Sequence, residues 1–271
     1  MNEDKTTAIP QKHQKKANEC CLRESLTVQY NSIKVRSVYN PYFCTMKKYL
    51  FYLLLFLIPV INNAGSGELH LVKEANRDIY SVLNLSAFGL SKQVFQLAMK
   101  GHNKLKEAGQ LENPSILTIV DFSQSSKNKR MYVIDFTKQT LLFNTLVAHG
   151  KNTGDEFAHY FSNKAGTLKS SLGFYLTKNQ ALGSEVGLSL IIQGLEKGFN
   201  DNAVNREIIM HGADYATEDF VRKNGRLGRS FGCPSLPPDM IKPVFQTIEK
   251  GSCLFIYYPD NNYLLHSSLL N

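Results

Sequence analysis

Residues 208–237 read IIMHGADYATEDFVRKNGRLGRSFGCPSLP, and the prediction of fold and chemistry depends on this stretch. A short buried strand is predicted at residues 207–210, and it ends at a His-Gly pair. A polar segment follows, in which residues 217–223 predict a short helix that Thr217 or Asp214 would cap. The stretch closes in a glycine- and proline-containing loop around a single cysteine.

A thiol nucleophile and an imidazole base are predicted from Cys233 and His211. A thiol becomes a good nucleophile once its proton is removed, and a nearby neutral imidazole removes it at neutral pH. Gly232 leaves room for a substrate carbonyl, and the N–H groups of Gly232 and Cys233 would then face a developing oxyanion. The alternative is structural, with Cys233 as a small core residue and His211 as the exit of a strand.

The pattern of strand-His-Gly, a spacer and Ser-x-Gly-Cys resembles the active-site motif of the L,D-transpeptidases, the YkuD-type cysteine enzymes of bacterial cell-wall synthesis. Phe231 stands where the common motif has a second histidine, and Pro234 follows the cysteine. The variant Gly-Arg-Ser-aromatic-Gly-Cys-Pro resembles the branch of murein L,D-transpeptidase catalytic domains. The resemblance covers residues 117–258. It implies a β-rich α+β domain of the YkuD type, with mixed sheets around a catalytic cleft.

The resemblance also implies acyl transfer on peptidoglycan stem peptides. His211, oriented by the carbonyl of Gly212, would deprotonate Cys233, and the thiolate would release the terminal D-Ala and form a thioester. An amine of a second stem peptide would give a 3→3 cross-link. Water would make the protein an L,D-carboxypeptidase, and the lysine of an envelope lipoprotein would make it an anchoring enzyme. Another cell-wall cysteine hydrolase and a non-catalytic wall-binding module remain open.

Five residues are predicted to contact substrate: Arg229, Ser230, His149, Ser171 and Gly173. The segment SSLGFY at residues 170–175 resembles a loop that lines the cleft in YkuD-type enzymes, and it can also be a polar turn into a strand. A guanidinium holds a stem-peptide carboxylate well. The alternative for Arg229 is an ion pair with Asp214, Glu218 or Asp219.

Charge and motifs argue against several other functions. The net charge is +8, but residues 67–271 carry 22 basic and 19 acidic side chains, a net of +3. No basic run with interleaved aromatics occurs there, so nucleic-acid binding is not expected. The chain lacks CxxC, HExxH and a glycine-rich nucleotide loop, so neither a metal nor a cofactor is expected.

Five cysteines are present, and three precede residue 46. Of the two in the main domain, Cys233 is expected to be free and reactive, and Cys253, which opens an apolar strand, to be structural. A disulfide between these two is the competing possibility in an oxidising compartment.

The chain divides into four predicted parts. Residues 1–45 are polar and are predicted to be disordered or a mis-annotated extension, with Met46 as the true start. Residues 46–66 combine two lysines, an apolar run and small residues, as in a secretory signal peptide, or alternatively an uncleaved membrane anchor. Both place the rest of the chain outside the cytoplasm, in the periplasm or cell envelope. Residues 67–112 are predicted to be helical, and residues 113–271 to form the catalytic domain.

The helical part is expected to end in a helix that Ser91 caps and that runs to about Ala108. Its buried face would carry Val94, Phe95, Ala98 and Leu105. Strands are predicted at residues 116–122, 131–136, 141–148, 173–177, 188–192, 207–210 and 253–258, and a helix at residues 237–250. The first three strands predict a meander, and the late last strand predicts a mixed or barrel-like sheet.

Overall fold

The computed structural model describes residues 79–183 and 185–271. The predicted N-terminal extension and the signal peptide or anchor lie outside the described residues. Among the helices of the described residues, none combines the length and apolar character that a membrane crossing requires.

The predicted N-terminal helix is present as α1, Lys92–Glu107, after a short 3-10 turn at Leu85–Phe88. The hydroxyl of Ser91 accepts a hydrogen bond from the N–H of Val94 at 3.2 Å, so the predicted N-cap is confirmed. The predicted face is also confirmed, because the following side chains are buried: Val94, Phe95, Ala98 and Leu105. Apolar residues that recur three or four positions apart, together with the serine cap, therefore located this helix correctly.

Eight strands of the described residues form one mixed sheet. Their bounds are β1 Ile116–Asp121, β2 Met131–Asp135, β3 Thr140–Thr145, β4 Gly173–Gly183, β5 Gly187–Gly194, β6 Ile209–Gly212, β7 Ser235–Leu236 and β8 Cys253–Tyr257. Their order across the sheet is β3-β2-β1-β8-β4-β5-β6-β7. The β1-β2-β3 meander is antiparallel, as predicted. The β1–β8 and β6–β7 pairs are parallel, and the other neighbours are antiparallel.

The two edges of the sheet meet beyond the end of β3. Ala148 and Ser235 form an antiparallel bridge, with N···O distances of 2.8 and 3.2 Å in the two directions. The sheet is therefore nearly closed, in agreement with the predicted barrel-like character. This bridge also holds the cysteine loop, which precedes β7, next to the segment that follows β3.

Helix α1 packs on the sheet through a glycine. A Cβ atom built on Gly101 would lie 2.1 Å from the ring of Phe174 in β4. The ring of Phe174 stacks on that of Phe255 in β8, with centroids 4.2 Å apart. Gly101 thus lets the helix approach the centre of the sheet closely, and this contact fixes the buried end of β4.

Three helices follow α1 within the described residues: α2 Glu218–Asn224, α3 Pro238–Ile248 and α4 Asn261–His266. Thr217 caps α2 through a 3.2 Å bond from the N–H of Phe220, which agrees with one of the two predicted caps. The sequence predicted α2 and α3 with slightly different bounds and did not predict α4.

Near the candidate site, one predicted strand boundary was wrong and one strand was not predicted. Strand β6 begins at Ile209 instead of residue 207, because Glu207 has φ 56°, a left-handed conformation that interrupts a strand. The strand ends at the His-Gly pair as predicted, and His211 and Gly212 are its last two residues. Strand β7 was not predicted, since its two residues follow a proline loop and carry no periodic signal.

Candidate active site

His211 is fixed by strand pairing on both sides. In β6 it lies opposite Ser189 of β5 and opposite Ser235 of β7. Its Nδ1 atom lies 2.9 Å from the carbonyl oxygen of Gly212, and its Nε2 atom lies 3.0 Å from the hydroxyl of Ser235. A carbonyl oxygen only accepts, so Nδ1 carries the proton in the neutral ring and Nε2 presents its lone pair. Nε2 is therefore the basic nitrogen.

The thiol of Cys233 lies against the start of β6. Its sulfur accepts a hydrogen bond from the N–H of Ile209 at 3.5 Å and lies 3.7 Å from the carbonyl oxygen of Glu207. Burial raises the pKa of Cys233, while the N–H of Ile209 and the positive charge of Arg206 act in the opposite direction. Cys233 is half-buried and free, and the buried Cys253 is free as well, so the structure does not contain the alternative disulfide.

The nucleophile and the base are not hydrogen-bonded to each other in the part of the chain that the structure describes. The loop that carries Cys233 leads directly into β7, and β7 runs parallel to β6 with Ser235 opposite His211. For His211 to take the thiol proton, the side chain of Cys233 has to turn away from Glu207. Such contacts commonly tighten only when a substrate is bound.

Two serines hold the loop that carries the cysteine. The hydroxyl of Ser230 accepts the N–H of Gly232 at 3.1 Å and donates to the carbonyl of Cys233 at 2.6 Å. The hydroxyl of Ser170 donates to the carbonyl of Gly232 at 2.9 Å. Gly232 has φ 132°, which favours glycine. These contacts give the loop a defined backbone shape.

This shape changes the predicted oxyanion hole. The N–H of Gly232 already donates to Ser230, so it does not face an incoming carbonyl. The N–H of Cys233, by contrast, donates to no other residue among those described. Of the two predicted donors, Cys233 is therefore the one whose N–H the structure leaves for an oxyanion.

His149, predicted to contact substrate, is an internal residue. It is 1% exposed, its Nδ1 lies 2.9 Å from the guanidinium of Arg130, and its Nε2 lies 3.3 Å from the carbonyl of Gly154. Burial and the charge of Arg130 lower the pKa of His149 to about 3. In this conformation the imidazole lies below the surface and both of its nitrogens have partners within the protein. Its position at the end of a predicted strand did not reveal the buried arginine beside it.

Three other residues that were predicted to contact substrate are packed against or hydrogen-bonded to groups inside the protein. Ser171 is buried, and its hydroxyl bonds the carbonyl of Ser162 and the guanidinium of Arg206. Gly173 is packed, since a Cβ there would lie 2.4 Å from the carboxylate of Glu196. Ser230, described above, is buried and supports the loop. The segment that resembles a cleft loop thus serves here as a support beneath the cysteine.

Arg229 forms an ion pair with Asp155 at 2.5 Å, and it also bonds the carbonyl of Gly154 at 3.3 Å. An ion pair was the alternative prediction for this residue, but with Asp214, Glu218 or Asp219 as partner. Asp155 was missed because its loop is distant in sequence and is brought close only by the Gly150–Ser230 bridge. In this structure Arg229 anchors a loop.

Arg206 was not assigned any chemistry from the sequence, yet it is the cation next to the thiol. Its guanidinium bonds the carbonyls of Ser162 and Lys169, each at 2.6 Å. A Cβ on Gly232 would lie 3.5 Å from its Nη2 atom, so the charge faces the residue before Cys233. The only sequence signal was an arginine shortly before the strand that carries His211, which is too common a feature to single out.

Within the described residues, no group of three or more histidine, cysteine or acidic side chains is arranged to hold a metal ion. The site consists of a thiol, an imidazole, hydroxyls and one nearby guanidinium. This set can carry out nucleophilic acyl transfer, in which a thiol attacks a carbonyl and an imidazole moves the proton.

Comparisons with solved structures find L,D-transpeptidases at low similarity. An L,D-transpeptidase from Mycobacterium smegmatis is 13% identical (TM-score 0.34; 53% of this chain and 59% of that chain are covered). A mutant of the Enterococcus faecium L,D-transpeptidase is 17% identical (TM-score 0.33; 53% and 50%), and an L,D-transpeptidase from Stackebrandtia nassauensis is 12% identical (TM-score 0.34; 63% and 69%). The chain thus spans only part of the length of these proteins.

The search of curated protein sequences gave no match. The sequence model of the L,D-transpeptidase catalytic domain, of the YkuD type, matches residues 86–257, which include the whole sheet and both His211 and Cys233. The match begins in the 3-10 turn before α1, so the helix belongs to the matched domain. The expected β-rich fold and the family resemblance are both confirmed, and the chain belongs to the family of L,D-transpeptidase catalytic domains.

Proposed function

We propose that this protein is a cysteine acyltransferase that acts on peptidoglycan stem peptides. The observation that carries the proposal is the pairing of β6 with β7, which places His211, with Nδ1 protonated and Nε2 as its basic nitrogen, beside the strand that follows the free thiol of Cys233. Membership of the L,D-transpeptidase catalytic-domain family supports the substrate class.

The reaction begins when His211 Nε2 takes the proton of Cys233. The S–H bond breaks, and its electron pair stays on sulfur and attacks the carbonyl that joins the diamino acid to the terminal D-Ala. The N–H of Cys233 stabilises the oxyanion of the tetrahedral intermediate. The imidazolium then returns the proton to the leaving amine, D-Ala departs, and a thioester remains on Cys233.

An acceptor amine resolves the thioester in the second half of the reaction. His211 removes a proton from the attacking amine, and the thiolate leaves as the new amide bond forms. With a second stem peptide as acceptor, the product is a 3→3 cross-link. The geometry of the cysteine loop supports the first half of the reaction, in which Cys233 is acylated. The identity of the acceptor is supported by family membership alone.

The proposal includes an envelope location, with peptidoglycan as the partner and an envelope lipoprotein as an alternative acceptor. It is supported by the sequence pattern of residues 46–66, in which two lysines precede an apolar run and small residues follow. N-terminal sequencing of the native protein tests how the chain is processed: a start after residue 66 supports export with cleavage, a start at Met46 supports an uncleaved anchor, and a mature chain that retains residues 1–45 contradicts Met46 as the start. Fractionation of the cells tests the location itself, and recovery of the native protein in the cytoplasm contradicts it.

Product analysis tests the acceptor. The purified protein is incubated with a disaccharide-tetrapeptide, and the products are separated and weighed. A 3→3 dimer with released D-Ala supports transpeptidation, and a tripeptide alone indicates an L,D-carboxypeptidase. Cleavage elsewhere in the stem or between stem and sugar would instead assign another cysteine hydrolase. Binding without turnover, equal in Cys233→Ala, would assign a wall-binding module.

A further inference from the structure

The basic nitrogen of His211 is occupied by a side chain that the reaction as described does not use. The hydroxyl of Ser235 lies 3.0 Å from Nε2, and Ser235 is completely buried. The proton on Nδ1 is committed to the carbonyl of Gly212, so Nε2 accepts and Ser235 donates. This contact fixes the plane of the imidazole as well as its tautomer.

A second hydroxyl continues the chain. The phenol of Tyr215 lies 3.1 Å from the hydroxyl of Ser235, in a geometry that lets either oxygen donate. While Ser235 donates to His211, its oxygen is free to accept from Tyr215. Two hydroxyls in series can reverse their direction together, because each carries one proton and can accept another hydrogen bond.

Tyr215 is held firmly enough to serve such a chain. Its carbonyl accepts the N–H of Gly228 at 2.8 Å, and a Cβ on Gly228 would lie 2.4 Å from the Cβ of Tyr215. Gly228 therefore allows the backbone that leads to the cysteine loop to pass directly over the tyrosine. Burial raises the pKa of Tyr215, so its phenol keeps its proton at neutral pH.

We propose that Ser235 and Tyr215 are positioning residues that serve both protonation states of His211. The assignment rests on the proposed role of His211 as the base for Cys233. With neutral His211, Tyr215 donates to Ser235 and Ser235 donates to Nε2. Nε2 has one lone pair in the ring plane, so Ser235 gives up its bond to Nε2 before the thiol transfers its proton there. The proton of Ser235 turns to the oxygen of Tyr215, the proton of Tyr215 rotates away from Ser235, and the new N–H of His211 then donates to the oxygen of Ser235.

The hydrogen bonds from Tyr215 through Ser235 to His211 favour the charged state, in which Cys233 is a thiolate and His211 an imidazolium. The reason is that a hydrogen bond donated by an imidazolium is stronger than one accepted by a neutral ring. These hydrogen bonds therefore increase the fraction of thiolate at pH values where the thiol alone would stay protonated. The other charged or titratable groups around the thiol are Arg206 and Glu207, which the substitutions below leave in place.

Alkylation of Cys233 by iodoacetamide across a pH series tests this proposal. The rate is followed by mass spectrometry of the peptide that contains Cys233, in the full chain and in Ser235→Ala, Ser235→Thr and Tyr215→Phe. We expect Ser235→Ala to slow alkylation about tenfold near neutral pH, and Tyr215→Phe about threefold. All rates should converge once the thiol ionises without help, and Ser235→Thr should keep the wild-type profile.

Two comparisons exclude a merely structural explanation. Ser235→Ala should have no further effect in a His211→Ala background, since the chain acts only through the imidazole. Tyr215→Phe removes a single oxygen and keeps the test usable if Ser235→Ala fails to fold. An equal slowing at every pH, or no slowing in either variant, would overturn the proposal. Alkylation needs no cell-wall substrate, so this outcome is separate from failure of the proposed transpeptidase reaction.

Discussion

The hydroxyl of Ser235 lies 3.0 Å from Nε2 of His211, at the nitrogen that a general base has to present. The thiol of Cys233 meanwhile lies against the backbone of Glu207 and Ile209. Base and nucleophile thus each have a separate partner before substrate arrives. Loading of the cysteine therefore requires the thiol to turn away from these backbone groups towards His211.

Arg206 should lower the pKa of Cys233 through its charge. Arg206→Gln removes the cation that faces the cysteine loop, so we expect the pKa of the thiol to rise and its alkylation near neutral pH to slow by about threefold to tenfold. Arg206→Lys keeps the charge but loses the planar fork that bonds two carbonyls. Equal rates in the wild type and Arg206→Gln would contradict the electrostatic role.

His149 should make stability depend on pH. Its folded pKa of about 3 lies below the unfolded value of about 6.5, so the unfolded chain takes up a proton first as the pH falls. The contribution is fully present above the unfolded value and is lost as the pH falls towards the folded value, by at most about 1.4 kcal/mol per pH unit.

His149→Gln removes this titration and tests it. Urea unfolding at about pH 7 and pH 5 should show a smaller loss of unfolding free energy in the variant than in the wild type. An identical loss in both would mean that the buried imidazole becomes protonated in the folded protein, in conflict with its position beside Arg130.

Gly101→Ala should destabilise the protein although alanine is the better helix former. The gain in helix propensity is at most about 1 kcal/mol. The new methyl group would overlap the ring of Phe174, so we expect a net loss of about 1–3 kcal/mol in the free energy of unfolding. Lys100→Ala, at an exposed position of α1, is the control and should change stability by less than about 0.5 kcal/mol. A stabilised Gly101→Ala protein would show that α1 does not pack as described.

Arg229 and Asp155 offer a matched pair of variants. Because their ion pair anchors a loop, we expect Arg229→Ala and Asp155→Ala to lower the melting temperature by similar small amounts and to change KM equally. A rise in KM confined to Arg229→Ala would instead support the sequence-based prediction that this guanidinium binds a stem-peptide carboxylate.

The sequence located α1 and every strand of the described residues except β7, because β-branched and apolar runs and the serine cap at Ser91 are local signals. The longest strand, β4, nevertheless runs to Gly183, well beyond its predicted end at residue 177. The sequence did not predict β7, whose two residues are a strand only because β6 and Ala148 pair with them. The roles of His149 and Arg206 at the site could not be predicted from local sequence either. Their roles depend on partners far away in the chain, Arg130 in one case and the cysteine loop in the other.

Intact-mass spectrometry after incubation with a disaccharide-tetrapeptide tests the central claim most directly, with Cys233→Ala as the control. If Cys233 is the nucleophile and a peptidoglycan stem is the donor, the protein gains the mass of the donor without its terminal D-Ala, and the adduct maps to Cys233. Cys233→Ala should show neither adduct nor released D-Ala. Release of D-Ala by Cys233→Ala at the wild-type rate, or a folded wild-type protein that forms no adduct and turns over no substrate, would contradict the account.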